Sequence, residues 1–467
     1  MAVISQQLAD FTARLSIEEM PAAVPLRAKH LMLDALGCAF AARREAFAER
    51  IAASIARLAG AGPRRVIGMP LRLPLRDAAM VNGMLMHGLD YDDTHAAGIV
   101  HVTVSTFPAA LAAAAHVGAS GAALLTAYVA GVETGARIAA AVKGGLHQVG
   151  FHPTGVVGAF ASTLVAGRLM ALSPERLAQA QGIALSFASG NLQFLEDGSW
   201  TKRIHPGWAA VCGITAAALA ADGFPAPREA YEGRFGLYRS HLPPDLLDKS
   251  DLSLVTAGLG SVWEIDNVAV KPFPACHFVH GCADAAIALH RAGLDAERVR
   301  SVRALVPEGV VKAVCEPVAA KRRPQSDYDA KFSIPYAVAS GLARGRLGVA
   351  EFAPAAFVEP RIERLMDKVE YAVDAQSTFP RHYTGEVVVT LDDGRTLSKR
   401  VAVNRGNPDR PLTNAEIEAK YFENCALTLE ESAAHRIRDA VLDLESIEDA
   451  REFEALIAAD FAMEATT

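Results

Sequence analysis

Apolar positions recur at helical spacing through roughly the first 260 residues. Leu33, Leu36 and Phe40 share one face, and similar stripes run through 121–142, 156–172 and 209–221. Alanine and glycine fill many remaining positions, so helix axes can approach closely, and the segment reads as a compact all-helical domain. Ser16-Ile17-Glu18-Glu19 has the form of a capping box ahead of the first stripe.

After Trp263 the period changes. β-branched and polar residues alternate at 299–306, 385–391 and 395–403, and Asp392-Asp393-Gly394 supplies hairpin turn chemistry between the last two. A helical pattern at 334–344 lies among them, which predicts a smaller α+β domain over 265–408. From Thr413 the pattern is helical again, opened by Asn414-Ala415-Glu416-Ile417, so the chain end is expected to return to the first domain. The fold class expected is mainly α, with a helical domain over 1–264 with 409–467 and the α+β unit as an insertion. A chain of 467 residues also exceeds what one core usually supports.

Charge narrows the partners. The balance of 46 Lys and Arg against 53 Asp and Glu gives a net charge of −7, which argues against nucleic acid. The six cysteines form no C-x-x-C pair and read as reduced thiols of a cytoplasmic protein. Residues 1–14 lack the build of a signal peptide, which also points to a cytoplasmic location. No Asp, Glu, Lys or Arg occurs between Thr94 and Glu133, but Pro108, His116, Gly118, Ser120 and Gly121 break that stretch. Buried helices, not a membrane span, are expected there.

Candidate chemistry concentrates in four segments. The first holds His87, Asp90, Asp92, Asp93, His95 and His101, costly to bury unless paired or functional. It suits a metal site, an acid/base assembly in which Asp90 orients a histidine, or a solvated loop capping a helix. In the second, His152-Pro153 stands at a helix start, where exposed amides attract an anion; an ordinary capping loop has the same letters. The third sets Lys202, Arg203 and His205 between Trp200 and Trp208, as carboxylate donors or as a surface charge run. The fourth offers Lys271, Cys276, His277 and His280, with no base assignable to a Cys276 nucleophile and with Asp284 spaced to pair with His280. Cations and imidazoles beside Pro/Gly-fixed helix starts, in an acidic chain, point to a small anionic substrate.

His87-x-x-Asp90-x-Asp92-Asp93-Thr94-His95, Gly150-Phe151-His152-Pro153-Thr154-Gly155, Thr201-Lys202-Arg203-x-His205-Pro206-Gly207, Lys271-Pro272-x-Pro274 and Lys331-Phe332-Ser333-x-x-Tyr336 resemble the MmgE/PrpD family. That family contains 2-methylcitrate dehydratases, cis-aconitate decarboxylases and iminodisuccinate epimerases. The resemblance implies a large helical domain with a smaller α+β lid domain, a homodimer, and chemistry with no iron–sulfur cluster, other metal or cofactor. It places the active site between the domains. Asp90, His101, His152, Lys202 and Lys271 carry over as catalytic, and Thr94, Arg203, His205, His277 and Tyr336 as substrate-binding. Two positions depart from the pattern. Val102 stands where the family commonly has proline, and Cys276 where the decarboxylase branch would have histidine, with His277 one residue along.

The expected activity is a lyase acting on a small di- or tricarboxylate, with dehydration of a 2-methylcitrate- or citrate-like hydroxy acid foremost. Epimerisation of an imino- or amino-dicarboxylate, decarboxylation of a cis-aconitate-type acid, and carboxylate binding without turnover are the alternatives. The enzymatic routes form or quench a carbanion beside a carboxylate, so cations must hold the developing enediolate charge. Lys202 and Lys271 fit that task, and His101 with His152 the acid/base pair.

Overall fold

The computed structural model describes residues 3–458. The ends of the expected helical domain, 1–2 and 459–467, lie outside the described residues. The fold is mainly α. Its larger core is built by α1 (Ala23–Ala42), α2 (Leu75–His87), α3 (Thr103–Val117), α4 (Gly121–Ala140), α5 (Pro153–Leu169) and α6 (Ile204–Ala221). α5 is buried at every position from Pro153 to Gly167 because its surface is apolar or small all round, as a central helix requires. Ser120 caps α4 by accepting from the Ala123 amide at 3.2 Å, and Pro153 starts α5 at the position where a missing N–H costs nothing.

Small residues fix the helix that matters most for the site. A Cβ on Gly207 of α6 would lie 2.2 Å from the Met80 carbonyl, and one on Gly83 of α2 2.9 Å from the Gly207 backbone. Backbone contact this close is open only to glycine, and it brings the start of α6 against α2. Ser16 does not cap a helix as expected. Its hydroxyl engages the Glu18 side chain, residues Ile17–Glu19 make a short 3₁₀ turn, and α1 begins only at Ala23.

The second core is formed by residues from Phe273 to Val401, with Ala96 and Phe194 reaching in. Four strands, β1 (Val299–Val306), β2 (Val369–Val373), β3 (Gly385–Leu391) and β4 (Thr396–Val401), lie in the order β2-β1-β3-β4. β2 runs parallel to β1 and the other pairings are antiparallel. β3 buries Gly385, Val387, Val389 and Leu391 on the face covered by α7 (His280–Arg291), with α8 (Ile334–Arg344) packed on α7. Gly394 takes the hairpin turn at φ +86°. β2 was not anticipated: it is an edge strand with little burial, and backbone pairing to β1 rather than an alternating pattern holds it in place.

α9 (Asn414–Cys425) opens on a capping box between Thr413 and Glu416 and packs on α1, where Lys420 meets Asp34 at 2.6 Å. Residues from Leu412 to Ile457 thereby share the core that begins at Ile4. α3 and α4, which occupy the charge-free stretch, are packed inside the protein. Trp200–Ala221 is long and apolar enough to cross a membrane, but 56% of its apolar window is buried.

Candidate active site

α2 ends at His87, and the chain then turns through Asp90 in a left-handed conformation, φ +53°. Such a backbone is costly for a residue with a Cβ and persists only where surrounding contacts over-determine it. Those contacts are two ammonium groups. Lys202 Nζ donates to Asp90 Oδ1 at 2.9 Å, and Lys271 Nζ donates to the same oxygen at 2.6 Å and to the Asp90 carbonyl at 2.8 Å. The ladder pairing Thr94 with Ala269 and His95 with Val268 brings Lys271 alongside this loop. Burial alone would raise the Asp90 pKa. Lys202 and Lys271, helped by His101 and His87, more than offset it and hold the carboxyl well below the usual carboxylate range. Burial works against the Lys271 charge too, and Asp90 more than restores it.

The neighbouring carboxyls behave differently. Asp92 is buried, yet its imidazole partners His87 and His101 keep it ionised; His87 Nδ1 lies 2.9 Å from Oδ1. Asp93 meets neither lysine; the positive charge that acts on it is Arg27, which does not offset burial. Burial pushes its pKa to about 8, against a bond from the Thr103 hydroxyl that pulls the other way, so Asp93 holds a proton at neutral pH.

His101 Nδ1 is 2.6 Å from the Asp93 carbonyl. A carbonyl only accepts, so Nδ1 carries the hydrogen and Nε2 keeps a lone pair. Burial lowers the His101 pKa to about 4 and that of His152 well below the ordinary histidine value, leaving both rings neutral. His152 Nδ1 lies 2.8 Å from His205 Nδ1, and the His101 and His152 ring centres are 6.0 Å apart.

These groups face a small cavity between the two cores. Asp90, Thr94, His101, His152, Lys202 and Lys271 line one wall, and Cys276, His277, Phe278, Phe332 and Tyr383 line the other. Residues as distant in the chain as Asp90 and His277 therefore meet at one place. Three residues expected to touch substrate stand outside this wall. Arg203 donates to the Gly88 carbonyl and to Asp327, both at 2.7 Å, with its guanidinium over Phe47 and Tyr328. It rivets the two cores together. His205 sits behind His152, and the Tyr336 hydroxyl is spent on the Glu351 carbonyl inside the second core. His280 does not pair with Asp284; its Nε2 donates to the Ala275 carbonyl at 3.1 Å. Burial raises the Cys276 thiol to about 11, which keeps it protonated and a poor nucleophile.

The structure adds His147 and Phe194 to the cavity wall, and Asn404 behind it. His147 follows Gly144 a few residues before His152, a signal that was readable; Asn404 lies in the loop after β4 without any motif. Ligand atoms of His87, His101 and His152, and of His87, Asp90, Asp92 and His101, lie within 4.8 Å of one another, a donor set for a transition metal. Two ammonium groups bonded to Asp90 would repel such a cation at short range, and the same two charges attract an anion.

The MmgE/PrpD N-terminal domain model matches residues 6–249, and the MmgE/PrpD C-terminal domain model matches residues 273–446. A cis-aconitate decarboxylase-like protein of Aspergillus oryzae is 29% identical, covering 98% of both chains. The human cis-aconitate decarboxylase is 29% identical over 96% of this chain and 92% of its own, and the Aspergillus terreus enzyme of that name is 27% identical over 96% and 94%.

Proposed function

Because the chain belongs to the MmgE/PrpD family, we propose that it is a lyase acting on a small di- or tricarboxylate through a carbanion formed beside a carboxylate. The observation that carries this reading is the pair of ammonium groups, Lys202 and Lys271, converging on one buried carboxylate oxygen in a cavity walled by neutral imidazoles. The two ammonium groups line the cavity and can bind an anionic substrate, and their charge can stabilise an enediolate as it develops.

The finer reading is decarboxylation of a cis-aconitate-type acid. Near-full-length similarity to cis-aconitate decarboxylases supports it. Cys276 in place of the expected histidine counts against it less than the sequence suggests, since His277 itself reaches the cavity wall. In that reaction the C–C bond to one carboxylate breaks, CO₂ leaves, and the electron pair is delocalised toward a carboxylate held by Lys202 and Lys271. A proton from His101 or His152 then quenches the carbon. A bound polyanion favours the charged imidazole, reversing the depression that burial imposes in the empty site. His205, half-buried behind His152, supplies a route for the replacement proton. The unit over 265–408 acts as the lid and the enzyme as a cytoplasmic homodimer in this reading. Dehydration of a citrate-like hydroxy acid is the second reading, favoured by Cys276.

Incubation in D₂O with chelator and with cis-aconitate, 2-methylcitrate, citrate or iminodisuccinate separates these outcomes. CO₂ release with one solvent deuteron in the product is expected from cis-aconitate. Loss of the hydroxyl from 2-methylcitrate, with a new double bond, would replace decarboxylation by dehydration. Thermal stabilisation by these acids without turnover of any would make the protein a carboxylate binder.

A further inference from the structure

His277 is buried in the cavity wall, with one ring nitrogen engaged and the other without a partner among the described residues. Asn404 Nδ2 lies 2.9 Å from His277 Nε2, and Asn404 Oδ1 lies 2.9 Å from the Tyr383 backbone nitrogen. The second contact decides the first. A backbone N–H can only donate, so the amide oxygen of Asn404 faces Tyr383 and its NH₂ must face His277. An NH₂ group cannot accept, so His277 Nε2 holds a lone pair, and its hydrogen is on Nδ1. That Nδ1 is buried and lacks a partner among the described residues.

We infer that Asn404 is a positioning residue that fixes His277 as the Nδ1–H tautomer, so that His277 donates a hydrogen bond to the substrate and does not act as a base. The recipient in this inference, a carboxylate or enediolate oxygen, rests on the proposed function; the tautomer does not. A buried donor with no acceptor is costly, which is reason to expect a ligand oxygen opposite it. The relay is rigidly mounted. Asn404 is fully buried, and Asn407 in the same loop donates to the Arg381 carbonyl at 2.9 Å. A Cβ on Gly406, at φ +88°, would fall 2.0 Å from the Val270 carbonyl, so the loop lies directly against the backbone leading into Lys271. The Tyr383 ring meets His277 edge-on at 5.0 Å. His280, Lys271, His101 and Asp90 are the titratable groups acting on His277, and burial with the first three keeps it neutral.

Neutron diffraction from perdeuterated crystals of the whole protein near pH 7 reads the tautomer directly. A deuteron on Nδ1 of His277 and none on Nε2 is expected; the reverse would overturn the inference. Asn404→Asp replaces the amide donor with an acceptor and should move the proton to Nε2. Turnover should then fall by about 100-fold, the cost of losing one aligned oxyanion donor, more in kcat than in KM. The kcat profile should also acquire a new pH step from His277, whose charged form the new carboxylate favours. Unchanged kcat in a folded Asn404→Asp variant would remove His277 as a donor. Should that variant not fold, the wild-type deuteron position still decides the tautomer. Should no polycarboxylate turn over, an Nδ1 deuteron would leave Asn404's role standing while the functional reading falls.

Discussion

The two walls of the cavity use the same side chain in opposite ways. On the wall from the larger core, His101 has its Nδ1 hydrogen spent on the Asp93 carbonyl, so the lone pair on Nε2 is what it has to offer. On the wall from the smaller core, His277 spends its lone pair on Asn404 and has a hydrogen left over. One wall is equipped to move protons and the other to hold charge still. Burial depresses both imidazoles, so neither burial nor residue type distinguishes them; the hydrogen-bond partner at the back of each ring does. The largest expected effect tests the proton-moving wall. His152→Ala should lower kcat by about 10³-fold or more with the fold retained by circular dichroism, and near-normal turnover would take His152 out of the chemistry.

Next in size is the charge clamp. Lys271→Met removes one of two ammonium groups from Asp90 Oδ1, and kcat/KM should drop by about 10²-fold to 10³-fold. It also removes a major force holding the Asp90 pKa down, so the variant should lose activity on acidification sooner than the parent. Equal acid limbs in the two kcat/KM profiles would show that Lys202 alone keeps Asp90 ionised. Cys276→Ala should matter least to turnover, by less than about tenfold, because its thiol is protonated far above neutral pH. A collapse of activity there would make the second wall a source of covalent chemistry after all.

Much of this was legible in the sequence. α8 and β1 span the residues that the periodicity suggested, and the four polar segments meet at one cavity because each stands at a helix end or a Pro-fixed turn. What escaped had local causes. β2 is held by pairing instead of burial, and Ser16 found a closer partner in Glu18 than in the backbone. Arg203 carries the letters of a carboxylate ligand, but stacking between Phe47 and Tyr328 spends it on joining the cores. The opposite states of Asp90 and Asp93 could not be read from spacing at all, since they depend on which carboxyl meets lysines that arrive from 112 and 181 residues away.

That last contrast has its own test, with the smallest expected effect. Asp93 has a folded-state pKa of about 8, above the ordinary aspartate value near ~3.9. A raised folded pKa means the native state binds the proton more tightly than the unfolded chain does. The stabilisation is therefore complete below about pH 4 and is lost as pH rises toward 8, at up to about 1.4 kcal/mol per pH unit. Asp93→Asn keeps the shape and removes the titration. Other buried groups, including His101, titrate in both proteins and cancel in the difference. Urea unfolding at pH 5, 6 and 7 should thus show the parent losing stability relative to Asp93→Asn at each step. Parallel pH dependences would mean that Asp93 is ionised like Asp90, and that Thr103 and Arg27 suffice to keep a buried carboxylate charged.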